Sequence, residues 1–128
     1  MRIVLDSNEY ILYLNNKSLL LHKLFDHEIS IYVNELIIKE VLRNITHSQR
    51  KTFYQLLFKG QINVFNEALP FSLYEKYQKL GLKKGDIIIA SFCEHIKADY
   101  LLTENRHFLK SNLKATLKIL TLKEFLGK

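Results

Sequence analysis

Short runs of β-branched and aliphatic residues alternate along this chain with longer segments that have the apolar spacing of helices. The first run, Arg2 to Leu5, ends in Asp6-Ser7-Asn8, which are turn and helix-cap residues. Ile29 to Val33 alternates as a strand does, and a helical segment follows Asn34. Strands that alternate with helices favour a parallel sheet covered on both faces. The sequence therefore predicts an α/β fold, a three-layer α/β/α sandwich with a central, mainly parallel sheet.

The rest of the chain continues this alternation. Predicted strands are Ile62 to Phe65, Asp99 to Thr103 and Lys118 to Leu122, and predicted helices begin near Glu9 and Asn34 or span Ser48 to Phe58 and Ser72 to Leu80. The segment that Gly85-Asp86 opens is apolar on most sides, which predicts a buried central helix. Because no linker or repeat divides the chain, residues 1–128 are expected to form a single domain.

The charge of the chain favours a polyanionic partner. Nineteen Lys and Arg against thirteen Asp and Glu give a formal net charge of +6. Such a balance attracts nucleic acid through phosphate neutralisation and counterion release. A basic surface that only maintains solubility is the alternative, since the lysines are spread along the chain.

Several classes of protein are disfavoured. No apolar run approaches the roughly 20 residues of a membrane span, and Asp6 interrupts the apolar region that a signal peptide would need. The single cysteine, Cys93, suits a core position and a reducing compartment, and cannot build a cysteine zinc site. Gly-rich phosphate loops, helical His pairs and nucleophile elbows do not occur. We therefore expect a cytoplasmic protein without a membrane partner.

Three acids occupy positions that suit metal binding. Asp6 follows the first strand, Asp86 stands at the head of the apolar helix, and Glu40 lies at the margin of a helix's apolar face. The carboxyl ends of parallel strands are where function gathers in such sheets. If the three converge, their oxygens suit Mg²⁺ or Mn²⁺. The alternatives are helix N-caps for the two aspartates and a solvated surface position for Glu40.

A polar cluster at residues 103–108 follows the strand that begins at Asp99 and emerges at the same edge of the sheet. Asn105 could bind a metal or its water, Thr103 could hydrogen-bond a neighbouring acid, and Arg106 could meet phosphate. The alternative is a turn rich in hydrogen-bonding groups. Elsewhere, Phe71, Tyr74 and Tyr77 have helical spacing, which favours core or a partner-binding surface over base stacking.

Four blocks of the chain, in order and in spacing, resemble the PIN-domain ribonucleases. The resemblance runs from residue 2 to about residue 108 and is carried by Ile3-Val4-Leu5-Asp6-Ser7-Asn8, Leu36-Ile37-Ile38-Lys39-Glu40-Val41, Lys84-Gly85-Asp86-Ile87-Ile88-Ile89-Ala90 and the segment from Ala98 to Phe108. It implies a PIN-like fold, dependence on Mg²⁺ or Mn²⁺, and hydrolysis of RNA phosphodiester bonds.

The resemblance also implies roles for individual residues. Asp6, Glu40 and Asp86 would hold the metal, with Asn8 and Thr103 in support. The fourth catalytic position falls on Asn105, where the family usually has an acid, so the site loses one negative charge that Glu104 or Asp99 could replace.

Small proteins similar to this one are often the toxins of prokaryotic toxin–antitoxin pairs, which are commonly homodimeric and silenced by a partner peptide laid across the acidic site. Two alternatives stay open. One is a PIN-like RNA-binding or protein-interaction module with weakened or lost turnover, suggested by Asn105. The other is a nuclease that acts on single-stranded DNA, since backbone contacts to a flexible strand are largely independent of sequence.

Overall fold

The computed structural model describes residues 1–15, 24, 28–59, 62–109 and 117–127. Its described strands form one five-stranded sheet in the order β3-β2-β1-β4-β5, and every pairing is parallel. The strands are β1 (Arg2–Leu5), β2 (Ser30–Asn34), β3 (Ile62–Phe65), β4 (Tyr100–Leu102) and β5 (Lys118–Leu120). The predicted α/β fold with a parallel sheet is confirmed.

Seven helices accompany the strands within the described residues. They are α1 (Ser7–Leu14), α2 (Glu35–Arg43), α3 (His47–Phe58), α4 (Phe71–Lys79), α5 (Lys84–His95), α6 (Arg106–Leu109) and α7 (Leu122–Leu126). Helix α1 contacts α2 and α3, whereas α4 and α5 pack against each other. After β3, at one edge of the sheet, the chain crosses to β4, which lies on the other side of β1. Right-handed crossovers then place α4 and α5 on the face of the sheet opposite to α1. This gives the predicted three layers.

The core explains why the middle strands carry so few polar residues. Ile3, Val4 and Leu5 of β1, and Leu101 and Leu102 of β4, are all fully buried because helices cover both faces of the sheet. On α5, Ile89, Ala90, Phe92 and Cys93 are buried as well, so the predicted central helix and the core position of Cys93 are both confirmed. None of the described helices has the length and apolarity to cross a membrane.

Two predicted helix starts were wrong by about two residues. Helix α1 begins at Ser7 and not near Glu9, because the Asp6 carboxylate accepts a hydrogen bond from the Ser7 backbone and caps the helix there. Helix α5 begins at Lys84, with Lys83 as its N-cap, so Asp86 lies inside the first turn. An N-cap role therefore does not explain Asp86.

The aromatic group on α4 divides between two environments. Tyr77 is buried and donates a hydrogen bond of 2.7 Å to Glu94 of α5, as expected for a core position. Phe71 is 71% exposed, and its ring meets that of Tyr74 edge to face with 6.5 Å between the ring centroids. The three rings thus do not form one face.

Parallel pairing aligns the ends of β1 and β4. Leu5 lies opposite Leu102 in the register, and the Asp6 amide donates to the Leu102 carbonyl at 3.0 Å. The residues that follow the two strands, Asp6 and Thr103, therefore emerge side by side at the carboxyl edge. This edge is where the candidate site lies.

Candidate active site

An open cavity of about 530 Å³ lies at the carboxyl edge of the sheet. Asp6 reaches it from the end of β1, Glu40 from α2, and Asp86 from the first turn of α5. The other residues that line it are Ser7, Asn8, Ile11, Asn44, Gly85, Ile89, Glu104 and Asn105. The fold thus brings together three acids that lie far apart in the sequence, all three of them partly buried.

Both oxygens of Asp6 are held by neighbouring groups. Oδ1 accepts the Ser7 backbone N–H at 2.8 Å, and Oδ2 accepts the Thr103 hydroxyl at 2.7 Å. Thr103 is fully buried, so its hydroxyl has a fixed place in the structure. The carboxylate consequently has one orientation, as metal-binding acids with hydrogen-bonded outer partners do. Asp6 is both a helix cap and a residue of the cavity, so the two interpretations of this aspartate are compatible.

Glu40 is held by the same short segment. Its Oε2 accepts the hydroxyl of Ser7 at 2.9 Å, so Ser7 contacts two acids at once. Glu40 is half-buried, which places it off the solvated face of α2. The surface alternative for Glu40 therefore does not hold.

The electrostatic environment of Asp86 opposes its ionisation. Burial raises the pKa of Asp86 above its usual value, and the negative charge of Asp6 raises it further, while positive charge on His107 and Lys83 opposes the rise. One neighbouring acid and two basic residues thus act on Asp86. A site with this balance is a functional-site candidate by its physics alone.

The segment after β4 forms a chain of hydrogen bonds. Thr103 Oγ1 accepts the Asn105 backbone N–H at 2.9 Å, and Asn105 Oδ1 accepts the His107 backbone N–H at 2.9 Å. The Asn105 side chain therefore stabilises the start of α6, which is the turn role that the sequence left open. It also lines the cavity, where one lone pair of its oxygen remains.

The remaining predicted residues lie in different places. Asn8 is exposed and lines the cavity, whereas Arg106 is exposed and is not among the lining residues. The suggestion that Asp99 could replace the missing fourth acid was wrong. It precedes β4, so it lies at the amino edge of the sheet, where its carboxylate accepts the Arg2 amide at 2.8 Å. Glu104, the other substitute, does line the cavity.

No pattern in the sequence singled out Glu9. Its side chain is 3% exposed, and burial raises its pKa from 4.5 to about 7, with smaller effects from Glu104 and Asp6. The available signal was its place in the first turn of α1, three residues after the N-cap Asp6. Ser7 was seen only as a turn residue, and its contact with Glu40 depends on the packing of α1 against α2.

The acids surround the cavity without forming a closed cage. In the part of the chain that the structure describes, no three His, Cys, Asp or Glu side chains are already gathered to hold a metal ion. Carboxylate and amide oxygens are nevertheless the ligands that Mg²⁺ and Mn²⁺ take, often one or two at a time with several waters. The donor set therefore fits a hard, hydrated cation.

Comparisons with known proteins agree with this geometry. Residues 3–112 match the family model of the PIN domain, and no curated protein matches the chain. Among solved structures, a similar fold occurs in the crystal structure of VapBC2 from Rickettsia felis bound to a DNA fragment from their promoter. The TM-score is 0.71 at 17% identity, and the match covers 94% of this chain and 97% of that chain, a likeness of fold alone. PIN domains are generally nucleases, and by the match over most of its length this chain belongs to the PIN domain family.

Proposed function

We propose that this protein is a metal-dependent endoribonuclease that hydrolyses RNA phosphodiester bonds in the cavity at the carboxyl edge of the sheet. The observation that carries the proposal is the approach of Asp6, Glu40 and Asp86 to one cavity from three separate elements. Family membership supports nuclease chemistry, and the net charge of +6 supports a polyanionic substrate.

The proposed cofactor is Mg²⁺ or Mn²⁺. Asp6, Glu40 and Asp86 would hold it, and once bound it supplies Lewis-acid stabilisation of the charge that develops on the phosphate. Without a cation, the clustered acids would repel a phosphate group from the cavity. Ser7 and Thr103 fix the orientation of two of these acids through hydrogen bonds.

Positive side chains beside the cavity suit the sugar–phosphate backbone of the substrate. Lys83 and His107 act on Asp86, and Arg106 is exposed at the start of α6. None of these three residues lines the cavity, so they would contact phosphates of the strand that lie outside it. We assign to these residues contact with phosphates, which carries no preference for base sequence.

Cleavage of a single-stranded RNA tests the proposal. The wild type with Mn²⁺ should cleave it, EDTA should stop cleavage, and Asp86→Asn should lower the rate at least about 100-fold, since loss of outer partners alone costs roughly 10- to 100-fold. Glu75→Gln, an exposed acid on α4, is the charge-matched control. Equal cleavage by wild type and Asp86→Asn would refute the assignment.

A DNA strand of the same sequence serves as the second substrate, and cleavage of DNA alone would move the assignment to a single-stranded DNA nuclease.

A second candidate function is a PIN-like RNA-binding or interaction module with weakened turnover. The hydrogen bond from His107 to Asn105 Oδ1 favours it, because this side chain is neutral and already engaged in a helix cap. Calorimetry with millimolar Mn²⁺ separates the two candidates: the module predicts RNA binding without metal binding.

We further propose that the protein is a homodimeric toxin of a toxin–antitoxin pair in the cytoplasm. The similarity of fold to VapBC2, which was crystallised with promoter DNA, supports this assignment. Co-expression with the product of a neighbouring reading frame should give a stable complex that no longer cleaves RNA. Light scattering on the protein alone should give twice the mass of 15.2 kDa.

A further inference from the structure

A second cavity, of about 450 Å³, lies beyond the carboxyl ends of β2 and β3. The last residues of these strands, Asn34 and Phe65, are partners in the parallel register, so their side chains lie side by side on one face of the sheet. The rest of the wall is mainly apolar and includes Leu36 of α2, Tyr74 of α4 and Phe92 of α5. Its volume is in the range of pockets that hold small organic groups.

Two aromatic rings of the second cavity are held by neighbouring rings. Phe65 is half-buried and packs against Phe92 and His95, with 5.5 Å between the ring centroids in each pair. Tyr74, whose helical spacing alone favoured a core or partner-binding position, is half-buried and meets Phe71 edge to face. Aromatic side chains that line a cavity in this way are surfaces on which nucleobases stack.

Asn34 brings an unused hydrogen-bond donor to the second cavity. It is 7% exposed, and its Oδ1 accepts the Ile37 backbone N–H at 2.9 Å, which caps α2. Its Nδ2 group donates to no residue that the structure describes. Most buried polar groups in proteins are hydrogen-bonded, because loss of hydration without a replacement costs free energy. The buried amide therefore indicates a ligand that carries an acceptor atom.

The charges around the second cavity do not suit a phosphate group. Among the described residues that line it, Glu35, Lys39 and Glu67 carry charge. Lys39 is already paired with Glu35 at 2.9 Å, and Glu67 adds an exposed negative charge. A flat, neutral group with acceptor atoms fits these surroundings better than an anion does.

The second cavity adjoins the acidic one. On α2, Lys39 lines the second cavity and the next residue, Glu40, lines the acidic cavity. On α5, Ile88 and Ile89 divide between the two cavities in the same way. Both helices are thus walls of both cavities, and a strand with one phosphate at the acids can place a neighbouring base in the second cavity.

We propose that the second cavity is a subsite for one nucleobase of the RNA strand, next to the phosphodiester bond that is cleaved. The base stacks against Tyr74 and Phe65, and Asn34 Nδ2 donates to an oxygen or ring nitrogen at the edge of the base. This inference rests on the proposed function, because one strand occupies both cavities. The subsite gives the protein a preference for the base at one position, which phosphate contacts do not provide.

Binding of a single-stranded RNA tests the stacking surface. With Asp86→Asn as the parent, which prevents cleavage, fluorescence anisotropy should show binding at least about 5-fold weaker in Tyr74→Ala. Tyr74→Phe keeps the ring and should restore most of the affinity. Tyr54→Ala, which removes an exposed tyrosine of α3, is the matched control and should bind as the parent does.

Asn34→Asp tests the donor. Aspartate keeps the oxygen that caps α2, but a carboxylate oxygen replaces the donor and repels the acceptor atom of the base. Binding should weaken about 5-fold. If Asn34→Asp does not fold, Tyr74→Ala decides alone.

Abasic nucleotides distinguish a base subsite from a structural role of Tyr74. In an RNA with one mapped cleavage site, loss of one flanking base should slow cleavage by the wild type about 5-fold, and Tyr74→Ala should not respond to that loss. Cleavage by the wild type together with unchanged RNA binding in Tyr74→Ala would overturn the subsite and leave the nuclease assignment intact. If Tyr74→Ala instead loses a complex with a co-expressed neighbouring protein, the cavity binds a protein segment. RNA binding that depends on Tyr74 without any cleavage would refute the nuclease and keep the subsite.

Discussion

The hydroxyl of Ser7 donates a hydrogen bond of 2.9 Å to Oε2 of Glu40, and so joins the first turn of α1 to an acid that α2 carries. The backbone N–H of the same serine bonds to Asp6. One small buried residue thus sets the separation and orientation of two acids from different elements. A Ser7 side chain without its hydroxyl would leave Glu40 free to turn away.

We therefore expect Ser7→Ala to weaken metal binding without unfolding the protein. Loss of an outer hydrogen bond to a metal-binding acid costs roughly 10- to 100-fold in affinity, and we expect a fall of about 10-fold for Mn²⁺ by calorimetry. Ser7→Thr keeps the hydroxyl and should restore most of the affinity. Ser72→Ala, on the exposed start of α4, is the matched control. Unchanged affinity in Ser7→Ala would show that this contact has no positioning role.

Thr103→Val should destabilise the fold. The hydroxyl of this fully buried residue donates to Asp6 and accepts from the Asn105 amide, so valine leaves both groups without their partner. Each unsatisfied buried group costs about 1–3 kcal/mol, and we expect a loss of roughly 2 kcal/mol in the free energy of unfolding, measured with urea. Thr103→Ser retains the hydroxyl and should lose less. Equal losses for the two variants would assign the effect to packing.

Asp86→Asn should stabilise the protein in EDTA while it abolishes cleavage. Burial and the charge of Asp6 both disfavour ionised Asp86. A neutral amide at this position therefore removes an unfavourable negative charge from the folded state. The acid is partly exposed, and solvent screening keeps the gain small, on the order of 2 °C in the melting temperature. Excess Mn²⁺ should raise the melting temperature of the wild type more than that of the variant. A lower melting temperature for Asp86→Asn in EDTA would contradict this account.

Glu9 should make the stability of the metal-free protein depend on pH. Burial raises its pKa from 4.5 to about 7 in the folded state, so the folded protein binds this proton more tightly than the unfolded chain. The stability that Glu9 contributes is complete below about pH 4.5 and is lost as the pH rises through about 7.

Urea unfolding in EDTA between pH 4.5 and 7.5 measures this effect. The wild type should lose on the order of 2 kcal/mol relative to Glu9→Gln across that range. Glu75→Gln should run parallel to the wild type, since the substituted acid is exposed. Parallel curves for Glu9→Gln and the wild type would show that burial does not raise the pKa of Glu9 in the folded state.

Much of the fold follows from local sequence pattern. The apolar run Ile3-Val4-Leu5, fully buried in β1, predicted a strand covered on both faces, and the apolar α5 predicted a central helix. The register of β1 against β4 depends on contacts between distant segments, and no local pattern specifies it. Placement at strand ends and on a helix face suggested that Asp6, Glu40 and Asp86 converge, and the family resemblance then assigned the same three acids to one site.

The sequence by itself indicated that acids follow a strand end and begin a helix, because strand ends and helix caps are recognised from neighbouring residues. It gave Asp6 two interpretations, as a cap and as a ligand, and only the tertiary structure decided that one carboxylate serves the cap and lines the cavity. Packing also decided that Glu9 is buried, that Ser7 contacts Glu40 and that Asp99 lies at the opposite edge of the sheet. The physical reason is that desolvation and hydrogen bonding between distant residues depend on which surfaces meet, and a linear spacing does not contain that information.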